Sequence, residues 1–229
     1  MDYFWYYKPQ QRFPPPTIMR PQEFDGGDRL NVVCTQTDLS AREQSALVRE
    51  WTEILPTLKG IKFLWFSSRV SQDLFDAACC VPGLEGLYIK WSGIRDLSSI
   101  RQSSELTYFH LGQSALVNSI IPIAKRVDLL WLDLELLSHV RDLEPLAELR
   151  SLEGLSLEGS MSTAWHVKSL DPLGVLTKLR YLSIANLRSE DGSLTGIFPL
   201  SQLETFRHAT WWNAIELDEI RRRNRKLVQ

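Results

Sequence analysis

Residues 140–157, VRDLEPLAELRSLEGLSL, decide the fold. Val140, Leu143, Leu146, Leu149, Leu152 and Leu155 recur at every third position, and the beat shortens to two at Leu157. A period of three suits neither an α-helix nor a strand, whereas the closing L-x-L alternates like a short strand. One turn of a solenoid needs this combination, a tight 3₁₀-like turn on one side and a strand on the other.

Working outward, the L-x-x-L-x-L core recurs. It reads Ile61/Leu64/Phe66, Leu84/Leu87/Ile89, Leu106/Phe109/Leu111, Val127/Leu130/Leu132, Leu152/Leu155/Leu157, Leu179/Leu182/Ile184 and finally Leu203/Phe206. Successive starts differ by 23, 22, 21, 25, 27 and 24 residues. The three-beat returns between them, for example at Ile94, Leu97, Ile100 and at Leu170, Leu173, Leu176. On these residues the chain resembles the leucine-rich repeat proteins, in particular the class with repeats of about 22 residues. The resemblance covers about residues 58–210. It implies an α/β leucine-rich repeat solenoid, with a parallel sheet on the concave face and 3₁₀ or short helical turns on the convex face. The family places Asn or Cys three positions after the last strand leucine, where the side chain bonds neighbouring loops. Here those places hold Arg69, Ser92, Ser114, Glu135, Ser160, Leu187 and Trp211, so irregular turns are expected.

The flanks divide the chain further. Residues 1–29 form an arm with no repeat, rich in aromatics (Tyr3, Phe4, Trp5, Tyr6, Tyr7) and carrying Pro14-Pro15-Pro16. The arm is expected to cover an exposed end of the solenoid, to reach a binding site with its aromatics, or to fold into the concavity and cover the aromatics there. Asp25-Gly26-Gly27-Asp28 reads as a turn rather than a metal loop. Residues 30–60 read as a strand and a helix, forming a cap or a long first repeat. Ser40 and Glu43 make a capping box, and Pro56 ends the helix. Seven repeats occupy 61–212. Residues 213–229 hold a capping helix with Ile215, Leu217 and Ile220, then the basic run Arg221–Lys226, which suits the negative end of a helix dipole.

Composition limits function. The 229 residues carry a net charge of −2, with no global basic field to attract nucleic acid. Cys34, Cys79 and Cys80 are an odd number and two are adjacent, which reads as reduced thiols. No secretory signal and no apolar run of membrane-spanning length is read, so a cytoplasmic location without membrane contact is expected.

Side chains alternate along a strand, so residues between the buried leucines face the concave side. Read in this frame, the central column is Trp65, Tyr88, His110, Trp131, Ser156, Ser183 and Arg207. The preceding column is Phe63, Gly86, Tyr108, Leu129, Gly154, Tyr181 and Thr205. The following one is Ser67, Lys90, Gly112, Asp133, Glu158, Ala185 and Ala209. Phe63, Trp65, Tyr88, Tyr108 and Trp131 thereby share one surface with Lys90, His110, Asp133, Glu158, Tyr181 and Arg207. Aromatics edged by a few charges are the composition of protein-binding hot spots. Seven strands span about 29 Å, which suits a folded protein rather than a metabolite.

Catalysis is not expected. His110, His139, His166 and His208 show no zinc-ligand spacing, glycine-rich phosphate loops are absent, and Gly112-Gln113-Ser114 lacks the closing glycine of a nucleophile elbow. Asp133 and Glu158 are expected in one column on adjacent strands, as a charged face rather than a catalytic pair. No cofactor or metal is implied. The expected function is non-catalytic protein binding, most specifically as an inhibitor or immunity-type protein that blocks an enzyme or toxin. An adaptor or scaffold role, or nucleic-acid binding through the basic tail, is the alternative.

Overall fold

The computed structural model describes residues 14–160 and 162–227. Eight parallel strands form one sheet in the order β1-β2-β3-β4-β5-β6-β8-β10: Arg29–Val32, Phe63–Phe66, Gly86–Ile89, Tyr108–Leu111, Trp131–Glu135, Gly154–Glu158, Tyr181–Ile184 and Thr205–His208. Every expected repeat supplies one strand, and β1 adds an eighth, pairing in register with β2 (Leu30 with Leu64, Val32 with Phe66). Parallel neighbours require a crossover, and each crossover here is a single turn on the convex side.

Those turns are short. Helix α1 (Ala41–Ile54) carries the full Ser40/Glu43 capping box, and α2 (Gln72–Cys79) is capped by Ser71. Beyond them the turns shrink to α3 (Ile121–Ala124) and the 3₁₀ segments Ser98–Gln102, Glu144–Glu148, Asp171–Val175 and Thr195–Ile197. A side-chain oxygen opens each of the last five turns by accepting from the amide two residues on. The pairs are Asp96 with Ser98, Ser119 with Ile121, Asp142 with Glu144, Ser169 with Asp171, and Ser193 with Thr195. Such local bonds satisfy amides that a turn this short leaves open.

The strand leucines and the three-beat residues meet in one continuous core between sheet and turns. The fifth repeat corrects the sequence reading. Leu132 pairs with Phe109 and Leu155, while Trp131 pairs with Tyr108 and Gly154. The buried triplet is therefore Leu129/Leu132/Leu134, and Val127, 50% exposed, is outside it. Leucines at 129, 130, 132 and 134 satisfy the motif in two frames, and a two-residue slip keeps every side chain on its face. Leu129 lies 23 residues after Leu106 and 23 before Leu152, so the repeat is more regular than first read.

The 27-residue repeat accommodates a second, two-stranded sheet, β7 (Trp165–Val167) with β9 (Leu187–Ser189). Buried Trp165 fixes it by donating its indole N–H to the Val140 carbonyl at 2.7 Å. Leu187, at a place where the family puts Asn, is buried as the first residue of β9. Where serine holds that place it does bond the loops: the Ser92 and Ser114 hydroxyls lie 2.6 Å apart, and Ser114 donates to the Gly112 carbonyl.

At the far end, α4 (Ala214–Arg223) buries Leu217 and Ile220 while Ile215 stays 80% exposed. Asn224 closes the last turn. It accepts from the Leu203 amide at 2.8 Å and donates to the Leu200 and Ile220 carbonyls. The basic run is engaged within the helix, Arg221 with Asp218 and both Arg222 and Arg223 with Glu219.

Candidate functional site: the concave face

The strand register places the concave side chains in three columns. The central one runs Asn31, Trp65, Tyr88, His110, Asp133, Ser156, Ser183, Arg207. The preceding one runs Arg29, Phe63, Gly86, Tyr108, Trp131, Gly154, Tyr181, Thr205. Two expectations are thereby corrected. Trp131 belongs with Phe63, Tyr108 and Tyr181, not with Trp65, Tyr88 and His110, and the central place in β5 is Asp133. Asp133 and Glu158 do not share a column, since Asp133 pairs with Ser156 and Glu158 with Glu135. Both follow from the two-residue frame shift in β5.

The preceding column sets a glycine beside Phe63 and another beside Trp131 for a steric reason. A Cβ on Gly154 would stand 2.2 Å from the Trp131 ring, and one on Gly86 would stand 2.6 Å from the Phe63 ring. Each ring therefore lies flat over the next strand. Trp131 then reaches across Gly154 to stack on Tyr181, with centroids 5.1 Å apart. Phe63, Trp65, Tyr108, Trp131 and Tyr181 form a second apolar cluster, separate from the leucine core, with half-buried Tyr88 against it. The sheet is thus apolar on both faces.

Polar groups border these rings. Tyr88 stacks on His110 at 4.1 Å, and His110 Nδ1 lies 2.9 Å from Asp133 Oδ2, both side chains being almost fully buried. Arg207 stands 3.6 Å from Glu158 and donates to the Tyr181 hydroxyl at 3.5 Å, and Ser183 donates to Glu158. Burial pushes the Tyr181 phenol up to about 12, with the Arg207 contact opposing that shift. Lys90 is exposed at the strand ends, its ammonium 4.4 Å over the Trp91 ring.

All eleven expected residues lie on this face, but their accessibility differs. Phe63, Trp65, Tyr108, His110, Trp131, Asp133 and Tyr181 are each 6% exposed or less, Tyr88, Glu158 and Arg207 are intermediate, and Lys90 is open. Trp65, Tyr88, Tyr108, His110, Trp131 and Tyr181 all have polar or ring partners in the folded chain.

Sequence reading missed the first strand's contribution. Arg29 stands 5.3 Å over the Trp65 ring, and Asn31 accepts from Ser67 and donates to the Pro15 carbonyl. The alternation in LNVV would have shown them, but no leading leucine flags that strand. It also missed the rim beside Lys90. There Gln36 accepts from the Arg69 amide and the Trp91 indole, next to Gln113 and half-exposed Leu116. Among the described residues no group of three or more His, Cys, Asp or Glu could hold a metal ion, and no helix is long and apolar enough to cross a membrane.

The sequence matches no family model and no curated protein. Solved structures do match. An internalin C2 from Listeria monocytogenes is similar at 30% identity and TM-score 0.52, over 65% of this chain and 62% of that one. A leucine-rich repeat protein of Leptospira interrogans shares the fold at 16% identity and TM-score 0.52, over 88% of this chain and 60% of that one. The chain spans about three fifths of the length of these relatives. By its recurring L-x-x-L-x-L strands, its concave parallel sheet and this shared architecture, the chain has the fold of the leucine-rich repeat proteins.

Proposed function

We propose that this chain is a non-catalytic protein-binding module whose concave face docks a folded protein, and more narrowly that it acts as an inhibitor or immunity-type protein blocking an enzyme or toxin. The observation that carries the reading is the apolar cluster of five rings outside the leucine core. The repeats close their core on the other face of the sheet and do not need these rings for it. A ring-filled centre bordered by Tyr88, Lys90, Glu158 and Arg207 has the layout of a docking hot spot with a polar rim. Eight strands give a face about 34 Å long, the scale of a protein partner.

Inhibition fits a surface built to occupy a partner. His110 and Asp133 have no nucleophile at their register positions beyond Ser156, and the carboxylates Asp133 and Glu158 are not paired across the strands. A cytoplasmic site of action is part of the proposal. It is supported by three unpaired thiols, two of them buried, with burial pushing Cys34 up to about 11 and Cys79 further still.

The test is to isolate the partner on the wild-type chain and on a Tyr88→Ala/Arg207→Glu variant, then assay the partner's own activity with and without the chain. A partner held by wild type alone and inactivated by it supports the reading. A partner whose activity is unchanged on binding rules out inhibition and favours an adaptor.

A further inference from the structure

The exits of β1, β2, β3 and β4 build a cleft at the rim of the concave face. Each exit gives it one side chain, Gln36, Arg69, Trp91 and Gln113 in turn, with Leu116, 40% exposed, beside them. None of these belongs to the concave ring cluster. The cleft's volume, about 510 Å³, suits a short segment rather than a folded domain.

Its walls are fixed before anything binds. Gln36 accepts from both the Trp91 indole and the Arg69 amide, which sets the orientation of the ring. The Val70 amide donates to the Trp91 carbonyl at 3.1 Å, and the Gly93 amide to the Val70 carbonyl at 2.8 Å, so parallel pairing continues past the strands. Gln36 and Gln113 are two of the four non-glycine residues with positive φ among the described residues, at 57° and 37°. Backbone held in that region costs free energy and persists where the surroundings over-determine it, as at ligand clamps.

Charge is distributed unevenly along the cleft. Arg69 and Lys90 are exposed, and neither has an ion pair among the described residues. The Arg69 guanidinium lies over Gly93, where a Cβ would touch its Nη2 at 3.5 Å, and the Lys90 ammonium stands 4.4 Å over the Trp91 ring. Both cations therefore gather at the exits of β2 and β3. At the other end Gln113 donates to Glu135 at 3.4 Å, which makes the β4–β5 side acidic. A carboxylate complements the first end, because the Arg fork takes it bidentately while Trp91 and Leu116 take an adjoining apolar side chain. Nucleic acid fits less well, since Glu135 and a net charge of −2 repel a run of phosphates.

We propose that this rim cleft is a carboxylate-selective subsite of the docking surface. It takes an exposed segment of the protein partner in which Asp or Glu adjoins an apolar residue. Its assignment to that partner rests on the docking reading above, whereas its selectivity for carboxylates does not.

Selectivity can be tested without the partner. The probe is the peptide N-acetyl-Leu-Glu-Glu-amide, followed by the Trp91 indole signal in proton–nitrogen correlation spectra of the full chain, with Trp91→Phe identifying that signal. The acidic peptide should shift it saturably below about 10 mM, and N-acetyl-Leu-Gln-Gln-amide should bind at least about ten-fold more weakly. Arg69→Gln/Lys90→Gln, verified as folded by circular dichroism, should lose the shift. If that variant does not fold, Lys90→Gln alone is read in the same way. The proposal is overturned if the acidic peptide gives no shift, if the neutral peptide binds equally well, or if a folded variant responds as wild type does. A stronger response to a short oligothymidylate also overturns it, in favour of nucleic acid. Against the isolated partner, Arg69→Gln/Lys90→Gln should weaken binding about ten-fold or more, and unchanged affinity overturns the assignment of the cleft to that partner. Should the peptide bind as expected and no partner be lost on altering Tyr88 and Arg207, the docking reading alone fails.

Discussion

Trp131 lies flat across Gly154, so close that a Cβ on the glycine would stand 2.2 Å from ring atom Cε3. This contact sets the tilt that lets Trp131 stack on Tyr181 and makes the concave rings one layer. Gly154→Ala should therefore push the indole off the sheet and cost about 1–3 kcal/mol, the range for overpacking a close-packed site. Urea unfolding checks the cost, and near-ultraviolet circular dichroism checks the lost stack. An unchanged midpoint and spectrum would mean that the ring does not lie on the glycine.

Asn224 is the keystone of the C-terminal end. It is buried and joins α4 to the last turn through the Leu203 amide and the Leu200 carbonyl. Asn224→Ala leaves both groups buried without their partner, at about 1–3 kcal/mol each. For a chain of this size about 1 kcal/mol shifts the melting temperature by about 2–4 °C, so calorimetry should show a clear fall. Asn224→Asp, which keeps the acceptor for Leu203 and loses the donors, should fall between the two.

Turn-opening carboxylates should make the fold acid-sensitive. The Ser98 hydroxyl and amide hold Asp96 below the usual carboxylate range, and the Glu144 amide and Lys168 do the same for Asp142. A pKa depressed on folding contributes stability above the unfolded value, about 3.9, and that contribution is lost as pH falls through the lower folded value. Asp96→Asn/Asp142→Asn should therefore narrow the gap from wild type when urea midpoints are compared at pH 3 and pH 6. A gap that is the same at both pH values would contradict this.

Much of the architecture was legible because one periodicity, three then two, repeats along the chain. Leu152/Leu155/Leu157 and the triplets like it give the strand, the buried face and the turn together. It failed where the pattern is degenerate, as in the leucine-rich run 129–134, and it left the concave side chains Arg29 and Asn31 unread because their strand, itself expected, lacks the leading leucine. The turn openers at 96, 119, 142, 169 and 193 repeat at 23, 23, 27 and 24 residues, and this second period would have fixed the frame of the fifth repeat. Alternation told which side chains face the concavity. It could not tell that Trp65 and Trp131 are buried there, since cover over a sheet is a long-range property and leaves no mark on the strand. The expected aromatic arm, Tyr3–Tyr7, lies outside the described residues.

The central claim is that the concave face binds a protein. The most direct test immobilises wild type, Tyr88→Ala/Arg207→Glu, and Ile121→Glu on the convex surface, each verified as folded, in a lysate of the source cells. The account predicts one protein retained by wild type and by Ile121→Glu and lost by the concave variant. Retention by the concave variant with loss from Ile121→Glu would contradict it and move the binding surface to the turns.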